Sequence, residues 1–460
     1  MPFYAFPPEP SAGGLPVMNP RAAGIDIGDR EIFVAVPPDC APVDKVVRNF
    51  ASFTGDLHAL ADWLAECGVT TVALESTGVY WIPLFEILED RKFKVCLVDT
   101  RRVRSVPGRK SDVRDCQWLQ KLHSHGLLSS AFRPAPEIVV LRSFNRQRQM
   151  CTECAAEHVQ HMQKALQLMN LKLSTVINDV TGTTGMSILR AILSGERDPA
   201  KLAKLRDPRC HADEVTIAKA LRGNYRDDHL FALRQAVDLF EVYQKKIAEC
   251  DVEIERQLAR LPDQSGGESP STKKGSKAYR ARKNAPRFDA RNLLFRAFGV
   301  DLLQISRVEA GTALKILSEV GTDMSRWASA GQFASWLGLS PRNDVSGGRV
   351  LRRGVAHGAN RAAQALRMAA QALGRTKTAL GAFYRRMQRK GGGRHAVTAT
   401  AHKLARIIYS LLTRGQEYVD IGEAEYTRQY EERLLASLKR AADKLGYNLT
   451  PHNDLPPELA

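Results

Sequence analysis

The chain has 460 residues, more than one ordinary core holds, so two or three domains are expected, and its 44% hydrophobic share excludes a wholly disordered protein. A formal net charge of +17 points to a polyanionic partner, nucleic acid ahead of an anionic membrane, and the absence of any apolar run of about 18 residues excludes a membrane-spanning helix. Eight cysteines in so long a chain suit a reducing compartment better than a disulfide framework.

Residues 1–20 read as a loose Pro-rich leader, not a signal peptide, because a basic start and an apolar stretch are both missing. From Gly24 the pattern turns strand-like. Gly24-Ile25-Asp26-Ile27-Gly28 and Ile32-Phe33-Val34-Ala35-Val36 flank a Gly28-Asp29-Arg30 turn and predict a hairpin. Leu57, Leu60, Leu64 and Ala65 predict an amphipathic helix to Cys67, followed by a buried strand over 70–74 with Glu75 at its end. A helix over 84–90 and a strand over 94–98 follow, and this alternation argues for an α/β layer domain, roughly 21–130. An arginine-rich loop with Arg101, Arg102 and Arg104 leads to a helix starting near Ser111, a good N-cap residue. Asp112 and Asp115, three apart, share one face of that helix.

Residues 137–175 and 213–261 are charged and weakly apolar-periodic, which predicts extended helices, as an antiparallel or intermolecular coiled coil within a helical region over 131–290. Cys151, Cys154, His158 and His161 have zinc-like residue types. Their spacing strings them along about 15 Å of one helix stripe, too far to surround one ion, and matches the a and d positions of a helix–helix seam. Residues 262–286 turn to Ser, Gly, Lys and Arg and read as a flexible basic insert.

A second folded unit, mainly α, is expected over 291–415, with a helical tail over 416–460. Helices are predicted over 311–320, 331–337, 359–373 and 401–413, and a polar loop over 337–354. That loop reads as a basic surface turn or as a serine nucleophile held against a phosphodiester. Ser346 abuts a Gly-Gly pair that lets backbone approach a ligand, and Arg349, Arg352 and Arg353 follow it, whereas Ser340 merely precedes a proline. From Pro341 to His395 thirteen Lys or Arg stand against the single acid Asp344, a one-sidedness typical of a phosphate-binding surface; Arg361 lies within it.

Four carboxylates invite a joint reading. Asp26 interrupts a strand of isoleucines, Glu75 ends a strand, and Asp112 with Asp115 opens a helix. Singly they read as a turn cap, a solvated strand end and a helix surface. Jointly they offer oxygen ligands for one or two Mg2+ ions of the kind that promote phosphodiester displacement.

Gly24-Ile25-Asp26-Ile27-Gly28, Ala73-Leu74-Glu75-Ser76-Thr77-Gly78 and Lys110-Ser111-Asp112-Val113-Arg114-Asp115 resemble the three motifs of the DEDD transposases of insertion sequences. Pro341-Arg342-Asn343-Asp344-Val345-Ser346-Gly347-Gly348-Arg349 resembles the serine motif of the same family's C-terminal domain. The resemblance implies a RuvC-like, RNase H-fold N-terminal domain, with Asp26, Glu75, Asp112 and Asp115 as a Mg2+-binding tetrad. It also implies Ser346 as a nucleophile that forms a phosphoserine link to DNA. Its further implications are donor and target DNA, a structured noncoding bridge RNA, and a homo-oligomer, at least a dimer and a tetramer in the synaptic complex. The setting it implies is the prokaryotic cytoplasm, close to the nucleoid.

The expected protein is thus an RNA-guided DNA recombinase, with Arg349, Arg352, Arg353, Arg361, Arg101, Arg102 and Arg104 against nucleic acid. Two rivals remain open: a junction-resolving endonuclease that uses metal and water, and a non-catalytic nucleic-acid scaffold.

Overall fold

The computed structural model describes residues 15–42, 45–76, 78–98, 112–270, 284–347, 349–355, 360–415 and 418–450. The chain divides into two compact units, Met1–Arg133 and Pro134–Ala460.

In the first unit, β1 (Ala22–Ile27), β2 (Glu31–Ala35) and β3 (Val47–Ala51) precede α1 (Thr54–Glu66). Then come β4 (Thr71–Glu75), α2 (Trp81–Asp90), β5 (Lys94–Val98) and α3 (Asp112–Ser124). The five strands form one sheet in the order β3-β2-β1-β4-β5. The β1/β2 and β2/β3 pairs run antiparallel, and the β1/β4 and β4/β5 pairs run parallel. This mixed sheet is compatible with the expected RNase H-like arrangement.

Alternation along β1 decides what each face holds. Ala23, Ile25 and Ile27 point to the core that includes Leu57, Leu60 and Leu64 of α1 and Leu84 and Leu88 of α2. Ala22, Gly24 and Asp26 point to the opposite face, which α3 covers. Gly24 is what permits this: a Cβ there would stand 2.2 Å from Gln120 N and 2.4 Å from Cys116 O. A side chain on Thr71, in register with Ala22, fixes the other end of α3, its Oγ1 2.9 Å from His123 Nε2.

The second unit begins with α4 (Pro136–Leu168), four short helices α5 (Leu173–Val176), α6 (Thr183–Leu193), α7 (Pro199–Ala203) and α8 (Glu214–Ala220), and α9 (Asp227–Arg260). The two long helices pack antiparallel. Arg148 meets Asp251 at 2.6 Å, and the His158 ring stacks on Tyr243 at 5.6 Å. Residues 213–226 do not extend the second long helix as expected, for α8 ends at Ala220 and its C-cap Leu221 is fully buried in the core of short helices. Cys151 is buried in the α4 seam, in keeping with its heptad position.

Part of the expected basic insert is folded. The Asp263 carboxylate accepts from Arg296 Nε at 2.9 Å, and Arg287 N donates to Asp251 at 3.3 Å. Residues 271–283 lie outside the described ones.

Next come α10 (Ala290–Phe298), α11 (Ala310–Val320), α12 (Ala330–Trp336), β6 (Pro341–Ser346), β7 (Arg349–Val355), α13 (Arg361–Leu373), α14 (Ala379–Arg414) and α15 (Gly422–Lys444). Glu319 of α11 accepts from Arg146 of α4 at 2.8 and 2.9 Å, and Asn145 Nδ2 donates to Ser318 Oγ at 2.8 Å. Helix α14 breaks at Gly391 and Gly392, the latter at φ +77°. The stretch expected as a loop over 337–354 is largely a β-hairpin, because its closing Gly-Gly dipeptide suits the tight turn of a two-stranded ribbon.

Candidate carboxylate site and serine hairpin

Asp26 stands one residue from the carboxyl end of β1. The parallel pairing aligns Ile25 with Leu74, so the next step of the register sets Asp26 beside Glu75. Both side chains therefore leave the sheet on the face that α3 covers. Helix α3 starts at the same end, with Asp112 and Asp115 in its first turn. Partial positive charge at a helix N-terminus favours carboxylates there.

One carboxylate oxygen each from Asp26, Asp112 and Asp115 lies within 4.8 Å of the other two. Asp26 and Asp115 are half-buried and Asp112 is exposed, so the cluster opens to solvent on one side. Glu75 is half-buried on the adjoining strand and is not part of that three-membered group. Ser76 beyond it is pinned, its Oγ donating to Val98 O at 2.9 Å. The donor set is entirely carboxylate oxygen, which suits a hard divalent cation. Among the described residues no group of Cys and His donors converges in this way.

Cys116 sits beneath the cluster, fully buried, and its Sγ donates to Val113 O at 3.1 Å. Burial pushes its thiol up to about 12, and the Asp26 charge adds to the shift. The His123 imidazole is pushed below its ordinary value by burial and then by Lys94, which keeps it neutral against Thr71.

Ser346 closes the β6/β7 hairpin opposite Arg349, and both side chains are exposed. Gly347 has φ +55°, a conformation that favours glycine. Arg353 and Arg352 lie on β7 in register with Asn343 and Asp344, and Arg361 is the first residue of α13. Arg101, Arg102, Arg104, Lys110 and Ser111 lie outside the described residues.

Sequence reasoning missed two residues that position the site, Gly24 and His123. A glycine in mid-strand signals close approach of another backbone, and that signal was available for Gly24. His123 carried none, since a single histidine late in a helix is ordinary.

A carboxylate cluster at the edge of a mixed sheet, in a strongly basic chain, suits an enzyme acting on nucleic-acid phosphates. Residues 23–171 match the family model of the IS110-type DEDD transposases, and residues 301–385 match that of the transposase IS116/IS110/IS902 family. The chain belongs to the IS110 family of insertion-sequence transposases, whose two domain types it carries in order. No curated protein sequence matches it. Among the described residues no helix is long and apolar enough to cross a membrane.

Proposed function

We propose that this transposase cuts and rejoins DNA through a covalent link to Ser346, assisted by Mg2+ held among Asp26, Glu75, Asp112 and Asp115. The reading assigns the carboxylates to a RuvC-like domain over 21–130 and the serine to a transposase domain over 291–415. The observation that carries it is the convergence of Asp26, Asp112 and Asp115 from a strand and a helix separated by over 80 residues. Such a cluster of like charges is unfavourable without a cation. Bound there, Mg2+ supplies positive charge to a phosphoryl oxygen and favours the ionised form of an attacking hydroxyl.

The chain's own groups do the rest. Ser346 Oγ forms a bond to phosphorus as one P–O bond to a deoxyribose breaks. The serine proton is lost and the leaving oxygen is protonated. One phosphodiester replaces another, so the link retains the energy needed for rejoining. Arg349, Arg352 and Arg353 offset the negative charge that builds on the phosphoryl oxygens. Arg361 and the Arg101, Arg102 and Arg104 loop grip nucleic-acid backbone. A bridge RNA reads donor and target by base pairing, which leaves the basic surface mainly phosphate contacts, and the working species is a homo-oligomer.

The test is to incubate protein, Mg2+, candidate RNA and the element's junction DNA, and to look for a denaturant-resistant protein–DNA adduct. Wild type should give an adduct that maps to Ser346, and both Ser346→Ala and Asp26→Asn should abolish it. Cutting by Ser346→Ala without an adduct would replace the serine with water. Full recombination by Asp26→Asn would reduce the protein to a scaffold.

A further inference from the structure

Helix α15 lies beyond both matched segments, and most of it is uncovered. Its first turns are anchored on α14. Arg385 donates to Glu423 at 2.5 Å, and the Arg386 guanidinium stands 5.6 Å and 4.1 Å from the ring centres of Tyr426 and Tyr430. From Glu431 to Lys444 every residue except Ala442 is exposed.

In that bare stretch Leu434, Leu435 and Leu438 are 44%, 47% and 48% exposed, and Leu445 just beyond it is 75% exposed. At 3.6 residues per turn, Leu434, Leu438, Ala441 and Leu445 fall within an arc of about 60°. Their spacing of 4, 3 and 4 is the alternation of a two-helix seam. A single helix with such a stripe in water is marginal by itself.

Charge says which helix would cover it. Residues 422–432 hold Glu423, Glu425, Glu431 and Glu432 against Arg428, a net −3. Residues 433–444 hold Arg433, Lys439, Arg440 and Lys444 against Asp443, a net +3. The same helix running antiparallel sets each acidic half against a basic half, whereas a parallel copy sets like against like. Placing Leu434 against Leu438 of the other copy brings Glu432 next to Arg440 on both sides of the seam.

We infer that the α15 stripe is a self-association surface, occupied by α15 of a second copy of this chain in antiparallel orientation. The inference locates one contact of the homo-oligomer in the proposed function and rests on that part of it. Its test is read without DNA or RNA, so it and the strand-transfer chemistry can fail separately.

Sedimentation of the full chain over a concentration series should show a self-associating species. Leu434→Glu with Leu438→Glu should raise its dissociation constant by about tenfold or more. Because those charges could also unwind α15, a second measurement uses Leu434→Cys and Leu438→Cys proteins, oxidised separately and mixed. Mass spectrometry should find a 434–438 disulfide in the mixture only. A monomeric wild type, an unchanged dissociation constant in the glutamate variant, or 434–434 and 438–438 disulfides in the separate samples would overturn the inference.

Discussion

At the residue scale, the carboxylate site depends on two side chains that bear no carboxylate. Gly24 lets the backbone of α3 close onto β1, and a methyl group there would meet Gln120 N and Cys116 O well inside contact distance. Gly24→Ala should therefore cost about 1–3 kcal/mol of stability. It should also weaken Mn2+ binding as Asp112 and Asp115 move from Asp26; thermal denaturation and metal titration measure the two effects. His123 sets a pH dependence. Its folded pKa is lowered, so near pH 6.5 the unfolded chain binds more protons than the folded one. The stability it contributes is complete above the unfolded value and is lost as pH falls through it towards the folded value. The melting temperature should drop between pH 7.5 and pH 5.5, and His123→Gln should remove part of that drop. An identical drop in the variant would assign the effect to other groups.

At the scale of elements, the Arg148–Asp251 pair ties α4 to α9. Both residues are buried, and Asp251 also accepts from Arg287 N at 3.3 Å. Arg148→Met would leave a buried carboxylate uncompensated, a loss of about 3–5 kcal/mol. Arg148→Met with Asp251→Leu should recover much of it, as denaturant titration of the three proteins would show. These elements also show where sequence is informative. Strands β1, β2, β4 and β5 were legible because their apolar runs are bounded by turns or helical periodicity. Strand β3 was not, because Val47-Arg48-Asn49-Phe50-Ala51 is an edge strand with two exposed polar residues. Helices α5–α8 were hidden by glycine and threonine over 181–185, which read as a break. The Ser346 hairpin was hidden by Pro341, Asn343 and Asp344, which are poor strand residues. The convergence of Asp26 with Asp112 and Asp115 needed the fold, since no local pattern reports a contact across 86 residues.

At the scale of the whole molecule, charge is unevenly distributed. The chain's +17 is concentrated in residues 341–395, which net +12. Affinity for nucleic acid should fall steeply with salt, and each phosphate contact removed should flatten the log–log slope by about one. Arg352→Ala and Arg353→Ala should each show such a change in a salt series followed by fluorescence anisotropy. A slope unchanged in both variants would remove these arginines from the phosphate-binding surface.

The missing side chain at Gly24 has a consequence for how such an element ages in a genome. Every missense change of a glycine codon adds at least a Cβ, and here the smallest addition already collides with the backbone of α3. A copy of the element can thus keep all four acidic codons and its serine codon and still have lost the geometry that joins the acids. Among decayed copies, the codon at position 24 separates those still able to assemble the site from those that only spell it.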